Sequence, residues 1–312
     1  MSGSLHSDEL PIDLPLVQAL VARDHSEFAS LPLRPLESSG SSNALFRLGS
    51  DLLVRLPRQP GGSAIIDKEA TWLPVIASRL PVPVPEIVAV GEPGFGYPER
   101  WSLVRWIDGT VPTVPDAAAP EEPREELARD LASFVVALRE IDVPHAALTD
   151  PALGGYRGEP LVNRDAPTRE AIGACRLIEG MTLNLDQASL VWSDAMRLPV
   201  VDPVVRPSWY HGDLFAENLL VLDSRLAAVL DFGGMAIGDP TIDLIVAWEV
   251  LDDAARDVFR EAVGVDELPW LRARAWAPSI AIVALPYYWR TMPLRSSSKL
   301  AVANAVLADV GH

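Results

Sequence analysis

Along the chain the spacing of apolar positions changes more than once. Residues 11–23 have a loose helical pattern, with Leu14, Val17, Leu20 and Val21 recurring on one side. Stretches 33–39, 44–48 and 52–56 are short, rich in Leu and Val, and divided by Ser and Gly, which predicts three strands. A helical period returns over 67–73, where Ile66, Ala70 and Leu73 align, and Pro81, Pro83 and Pro85 end it in an extended linker. Two further strands are expected at 87–90 and 101–106. Five strands with one inserted helix fit an antiparallel sheet carrying a single helix, followed by a mobile linker at 106–109.

From Glu121 the pattern turns helical. Helices are expected at 124–140, where Leu127, Leu131, Phe134, Val135 and Leu138 share a face, at 167–179 with Pro167 in its first turn, and at 186–197. Four more are expected at 240–252, 254–263, 267–285 and 296–309. Residues 142–165 are rich in Pro, Gly and Asp and read as loop, while 219–222 and 227–230 are two short strands joined by an Asp223-Ser224-Arg225 turn. No internal repeat is present. The expected class is α+β, a small mixed part over 1–106 and a larger, mainly helical part over 107–312.

Composition narrows this picture. At 312 residues, 49% hydrophobic and 22% charged, the chain can bury a sizeable core. Its longest apolar candidate, 277–289, is too short to span a membrane and contains Pro278 and Pro286. His6, Asp8 and Glu9 replace the basic start of a signal peptide, so a cytoplasmic location is expected. Cys175 is the only cysteine, which excludes an intrachain disulfide and a cysteine-based zinc site; the five His include no close pair. The formal net charge of −17 argues against nucleic acid or an anionic membrane as partner. Three of those excess charges precede position 107 and fourteen follow it, and Lys68 and Lys299 are the only lysines.

The chemistry concentrates in Trp209-Tyr210-His211-Gly212-Asp213-Leu214-Phe215-Ala216-Glu217-Asn218, followed by Leu230-Asp231-Phe232-Gly233 and Gly238-Asp239-Pro240-Thr241-Ile242-Asp243. The hairpin holds Asn218 at one mouth and Asp231 at the other, an amide and a carboxylate suited to a hard, oxygen-seeking cation such as Mg²⁺. Asp213, on the loop entering the hairpin, could accept a proton from an attacking hydroxyl. Glu217 is expected to face solvent, and Asp239 before Pro240 is a good helix cap. Near the start, Ser38-Ser39-Gly40-Ser41-Ser42-Asn43 could bring backbone N–H groups close to a phosphate, or be a plain hairpin turn; it is neither a Walker A loop nor GxGxxG.

His-x-Asp-x-x-x-x-Asn followed by Asp-Phe-Gly resembles the catalytic loop and metal motif of the protein-kinase fold. With His-Gly-Asp-Leu and Gly-Asp-Pro-x-x-Asp-Leu, it is similar to the aminoglycoside/macrolide phosphotransferase family. Six fixed positions give a chance match of about 10⁻⁸ per starting point. The resemblance covers most of the chain and implies a two-lobed kinase-like fold that moves a phosphoryl group from ATP or GTP, with Mg²⁺, to a hydroxyl of a small molecule. It implies Asp213 as catalytic base, Asn218 and Asp231 as metal ligands, and His211, Asp239 and Asp243 as braces of the loop. By position, Ser41, Ser42 and Asn43 fall in the nucleotide loop, Arg105 to Ile107 in the linker that grips the base, and Glu69 on the helix that holds the phosphate-binding cation. That cation is usually a lysine on the third strand; here the residue is Arg55. The acidic second part, including Glu249, Asp252 and Asp253, suggests a cationic or amine-bearing acceptor. Another small-metabolite kinase (amino alcohol, sugar or macrolide), a phosphohydrolase and a non-catalytic nucleotide-binding protein are the alternatives.

Overall fold

The computed structural model describes residues 8–36, 42–114, 124–154, 157–199 and 207–310. The chain divides into two compact units, Met1–Gly109 with Ala228–Gly233, and Thr110–Ala227 with Gly234–His312.

The first unit opens with α1 (Leu14–Asp24), capped by Asp13, whose carboxylate accepts the Leu16 N–H at 2.9 Å. Strands β1 (Leu33–Leu36), β2 (Asn43–Leu48), β3 (Leu52–Pro57), β4 (Ile87–Gly91) and β5 (Trp101–Arg105) form one antiparallel sheet in the order β1-β2-β3-β5-β4. Of the expected strand 33–39, residues 33–36 form β1; residues 37–41, Ser41 among them, lie outside the described residues. Val17, Leu20 and Val21 of α1 close one face of the sheet against Phe46, Leu48, Val54, Leu56, Trp101 and Leu103.

Between β3 and β4 lies α2 (Ser63–Ala77), longer at both ends than the period of its apolar residues indicates. Its start is fixed from a distance: the Glu99 carboxylate accepts the Gly61 and Ser63 N–H groups, each at 2.8 Å. Pro74 lies within α2 on the exposed side, and the helix continues through it for one further turn. Residues 228–233 join this unit; the Val229 N–H donates to the Pro83 carbonyl at 3.1 Å.

The second unit is mainly helical: α3 (Glu125–Glu140), α4 (His145–Leu148), α5 (Asp165–Cys175), α6 (Leu185–Ala195), α7 (Val246–Val250), α8 (Asp253–Val263), α9 (Glu267–Tyr288) and α10 (Pro293–Val310). Helix α9 packs against α5, α10 and the 3₁₀ turn Pro240–Ile245, and α3 packs against α8. Residues 142–165 are not wholly loop, since they hold α4 and the 3₁₀ turns Pro151–Leu153 and Leu161–Arg164. Short strands β6 (Ser208–Tyr210) and β9 (Ala236–Gly238) pair antiparallel, and β7 (Leu219–Leu222) and β8 (Arg225–Val229) form a second two-stranded sheet. The turn between β7 and β8 places Asp223 and Ser224 at φ 51° and 61°, the left-handed pair a two-residue hairpin needs.

The expected helix 240–252 is split into the 3₁₀ turn and α7. Asp239 caps the turn by accepting the Thr241 N–H at 3.0 Å, and every residue from 241 to 250 is buried, so there is no polar face to set a regular period. No helix among the described residues is long and apolar enough to cross a membrane.

Candidate active site

In the first unit, β3 aims Arg55 to the side of Leu53, and its partners in register are Leu45 and Ser102. Glu69, on the second turn of the helix 63–77, meets it. Arg55 Nη2 lies 3.1 Å from Glu69 Oε2 and donates to Oε1 at 3.4 Å, with Asp231 Oδ1 3.9 Å away. One nitrogen thus serves the carboxylate, where a two-nitrogen fork was possible; Nε and Nη1 have no acceptor among the described residues. Burial opposes the Arg55 charge, but Glu69 and Asp231 outweigh it and hold its pKa above the ordinary value. Burial pushes the Glu69 carboxyl up, with Arg55 pulling the other way.

Asp231 itself adopts φ 54° and accepts the Gly233 N–H at 3.3 Å, which turns its carboxylate aside from the strand that precedes it; the side chain is 36% exposed. Arg58, the cation just after β3, is engaged elsewhere: Nε donates to the Asn43 carbonyl at 3.2 Å and Nη1 meets Glu9 at 2.7 Å. Asn43 opens β2, and the Ser42 carbonyl accepts the Arg58 N–H at 2.8 Å. At the end of β5 the Arg105 guanidinium is 3.3 Å from Glu86, and the Trp106 N–H is taken by the Asp51 carbonyl at 2.8 Å. The Ile107 backbone has no hydrogen-bond partner among the described residues. The Arg47 guanidinium stacks 3.6 Å from the Trp106 ring centroid, a contact between residues that the sequence reading did not single out.

In the second unit, β6 delivers His211, Gly212 and Asp213 to a loop fastened by Asp243. The His211 N–H donates to Asp243 Oδ2 at 2.6 Å and the Gly212 N–H to Oδ1 at 2.8 Å. Gly212 must be glycine: its φ is 77°, and a Cβ there would stand 2.6 Å from the Gly234 carbonyl oxygen. The buried His211 ring accepts the Asp213 N–H on Nδ1 at 3.2 Å. Burial raises the Asp243 carboxyl to about 6, although His211 beside it and the two amide bonds pull it down.

Asp213 is held at both ends. Asn218 Nδ2 donates to its carbonyl at 2.8 Å and reaches Oδ2 at 3.4 Å, and Arg157 pairs with Oδ1. That hold leaves Asn218 Oδ1 as the oxygen able to face a cation. Asp239, besides capping the 3₁₀ turn, receives Arg272 at 3.0 Å.

One expectation is corrected. Glu217 does not face solvent: it is 17% exposed and pairs with Arg295 at 2.7 Å. Of the acids offered to a cationic acceptor, Glu249 is buried against Lys299, Asp252 caps α8 through the Ala255 N–H, and Asp253 pairs with Arg256. Arg157, Arg295 and Lys299 were missed because their spacing from the motif is long-range. The scarcity of lysine was the one signal pointing to Lys299.

Among the described residues no group of three or more His, Cys, Asp or Glu is placed to hold a metal ion. Asn218 and Asp231 each offer a side-chain oxygen, the donor type a hard divalent cation prefers.

Comparison with known proteins agrees with this reading of the fold. The GDP complex of wild-type aminoglycoside 2'-phosphotransferase-IIIa is similar with a TM-score of 0.73 at 20% identity, covering 96% of this chain and 100% of that one. The ADP-bound aminoglycoside phosphotransferase APH(2'')-Ib gives 0.62 at 17% identity, covering 95% and 99%. Macrolide 2'-phosphotransferase MphH from Brachybacterium faecium, as the apoenzyme, gives 0.60 at 22% identity, covering 94% and 98%. No curated protein sequence matches the chain. The model of the phosphotransferase enzyme family matches residues 33–277, more than three quarters of the sequence and both units of the fold. With its kinase-like architecture and the His211–Asp243 motif residues inside that match, the chain belongs to the phosphotransferase enzyme family.

Proposed function

We propose that the protein transfers the terminal phosphoryl group of ATP or GTP to a hydroxyl of a small molecule, with an aminoglycoside-like or other antibiotic as the acceptor. The observation that carries this reading is the fixing of Asp213. Its backbone is set by His211 and Asp243, its carbonyl by Asn218, and one carboxylate oxygen by Arg157. Oδ2 is then the oxygen that orients the acceptor hydroxyl and takes its proton. The hydroxyl oxygen forms the new bond to phosphorus while the bond from phosphorus to the nucleoside diphosphate breaks.

Residues 1–106 are assigned to the nucleotide and 107–312 to catalysis and the acceptor. Arg55, held by Glu69, has donors left over for phosphate oxygens; Ser42 and Asn43 are assigned to the phosphate loop, and the free Ile107 backbone beside Arg105 suits a purine edge. His211, Asp239 and Asp243 brace the loop. Asn218 and Asp231 are the residues that would hold magnesium, which would supply charge neutralisation during the transfer. Relatives crystallised with GDP and with ADP support a purine nucleotide as donor. Consumption of such a donor by a chain with one buried cysteine fits the cytoplasm.

A kinase of another small metabolite, such as an amino alcohol, sugar or macrolide, is the second reading. It is supported by the likeness to macrolide 2'-phosphotransferase MphH. Nucleotide turnover with and without a panel of aminoglycosides, macrolides and small alcohols, read by product mass, tests both. Transfer predicts a product heavier by one phosphoryl group. Turnover indifferent to every acceptor would point to hydrolysis instead.

A further inference from the structure

The motif accounts for Asp213 and Asn218 but not for what holds the residues between them. Phe215 is their mechanical link: its N–H donates to the Asp213 carbonyl at 2.8 Å, and its carbonyl accepts the Asn218 N–H at 2.9 Å. Any rotation of Phe215 moves both.

Two charged pairs converge on this stretch. Lys299, on α10, is 2% exposed; its Nζ donates to Glu249 Oε1 at 2.9 Å and stands 3.8 Å from the Phe215 ring centroid. Glu249, on α7 and 3% exposed, also accepts the backbone N–H of Ala216. Arg295, four residues before Lys299 and so on the same face of α10, lies 2.7 Å from Glu217. Residues 215, 216 and 217 are thus gripped in succession by a cation over a ring, a carboxylate on an amide, and an ion pair.

Stability is a weak reason for such an arrangement. A buried ion pair can often be replaced by apolar side chains of similar size without loss, because the desolvation of two charges offsets their attraction. What apolar packing cannot supply is direction. The ammonium fixes the plane of the Phe215 ring, and the carboxylate fixes the Ala216 amide.

We propose that Lys299 and Glu249, assisted by Arg295 and Glu217, are positioning residues for the transfer, acting through Phe215 and Ala216 to set the spacing of Asp213 and Asn218. The kinetic part of this inference rests on the phosphotransferase reading; the structural part does not.

The test is the double variant Lys299→Met/Glu249→Leu, which removes both charges together and leaves no uncompensated ion. Hydrogen exchange of the 213–218 amides is measured on the full chain without nucleotide or acceptor. It is expected to speed up about tenfold while exchange in the core helices is unchanged. With an acceptor found for the parent protein, kcat should fall about 10²-fold with the acceptor KM within about threefold. Lys299→Arg, which keeps a cation, should recover most of kcat. Parent-like exchange and parent-like kcat in a folded double variant overturn the proposal. If the double variant does not fold, Glu217→Gln decides on the same exchange measurement: faster exchange at 213–218 supports positioning, and unaltered exchange overturns it. A parent protein inactive on every acceptor would count against the phosphotransferase reading alone, since the exchange result stands without activity.

Discussion

At position 55 a guanidinium stands where the resemblance leads one to expect an ammonium, and the two are not equivalent. A planar fork has directions, so Glu69 must hold Arg55 in one of them, and it does so through a single nitrogen. Arg55→Met should lower turnover about 10²–10³-fold, and Arg55→Lys should keep much of it. Glu69→Gln should do less harm than Arg55→Met, since an amide oxygen still accepts. Because Arg55→Met strands the buried Glu69 carboxylate, it should also cost about 3–5 kcal/mol. Steady-state turnover against nucleotide concentration, with a melting curve for each variant, checks all three; parent-like turnover in Arg55→Met would move the phosphate-binding role elsewhere. Asp243 makes a second residue-scale prediction. Burial lifts its carboxyl from 3.8 to about 6, so between those values the folded protein retains a proton the unfolded chain has lost. This group therefore makes stability fall as pH rises from about 4 to about 6, by up to about 3 kcal/mol, and adds no slope above that. Urea unfolding of the parent protein and Asp243→Asn across that range should give a difference that changes in this direction. A flat difference would show that Asp243 ionises as freely as in the unfolded chain.

Elements with a regular period were legible in the sequence, and those held by long-range contacts were not. Leu127, Leu131, Phe134, Val135 and Leu138 announce helix α3, and all five are buried in it. The three-residue strands β6 and β9 are too short to alternate, yet β6 is what delivers His211 to the loop. Helix α2 begins at Ser63 because Glu99, far along the chain, receives its first amides. The same distinction runs through the site. His211, Asp213, Asn218 and Asp231 were readable because a motif fixes their spacing, whereas Arg157 and Lys299 reach it only through the fold. Asp239 belongs at this scale, since it caps the 3₁₀ turn and receives Arg272. Asp239→Ala should cost about 1 kcal/mol from the cap, and Asp239→Asn, which keeps the cap but loses the charge, should cost less. Chemical unfolding of both variants measures the difference; equal losses would mean that the ion pair with Arg272 outweighs the cap.

For the whole molecule, charge acts at a distance that contact pairs do not reveal. Fourteen of the seventeen excess negative charges lie beyond position 106, though Asp213, Glu217 and Glu249 are each matched by a cation of the same chain. An amine-bearing acceptor should therefore feel only the outer field, and its apparent KM should rise severalfold between low and physiological salt, where screening sets in beyond about 8 Å. A neutral acceptor should show no such change; salt-independent KM for a polyamine would remove the field from the account. The central claim, that Asp213 takes the proton of an acceptor hydroxyl in phosphoryl transfer, is tested most directly by Asp213→Ala. Turnover with the acceptor and calorimetric binding of nucleotide with magnesium are measured on the same folded variant. The account predicts turnover about 10²–10⁴-fold lower with nucleotide affinity little changed. Near-normal turnover would contradict it.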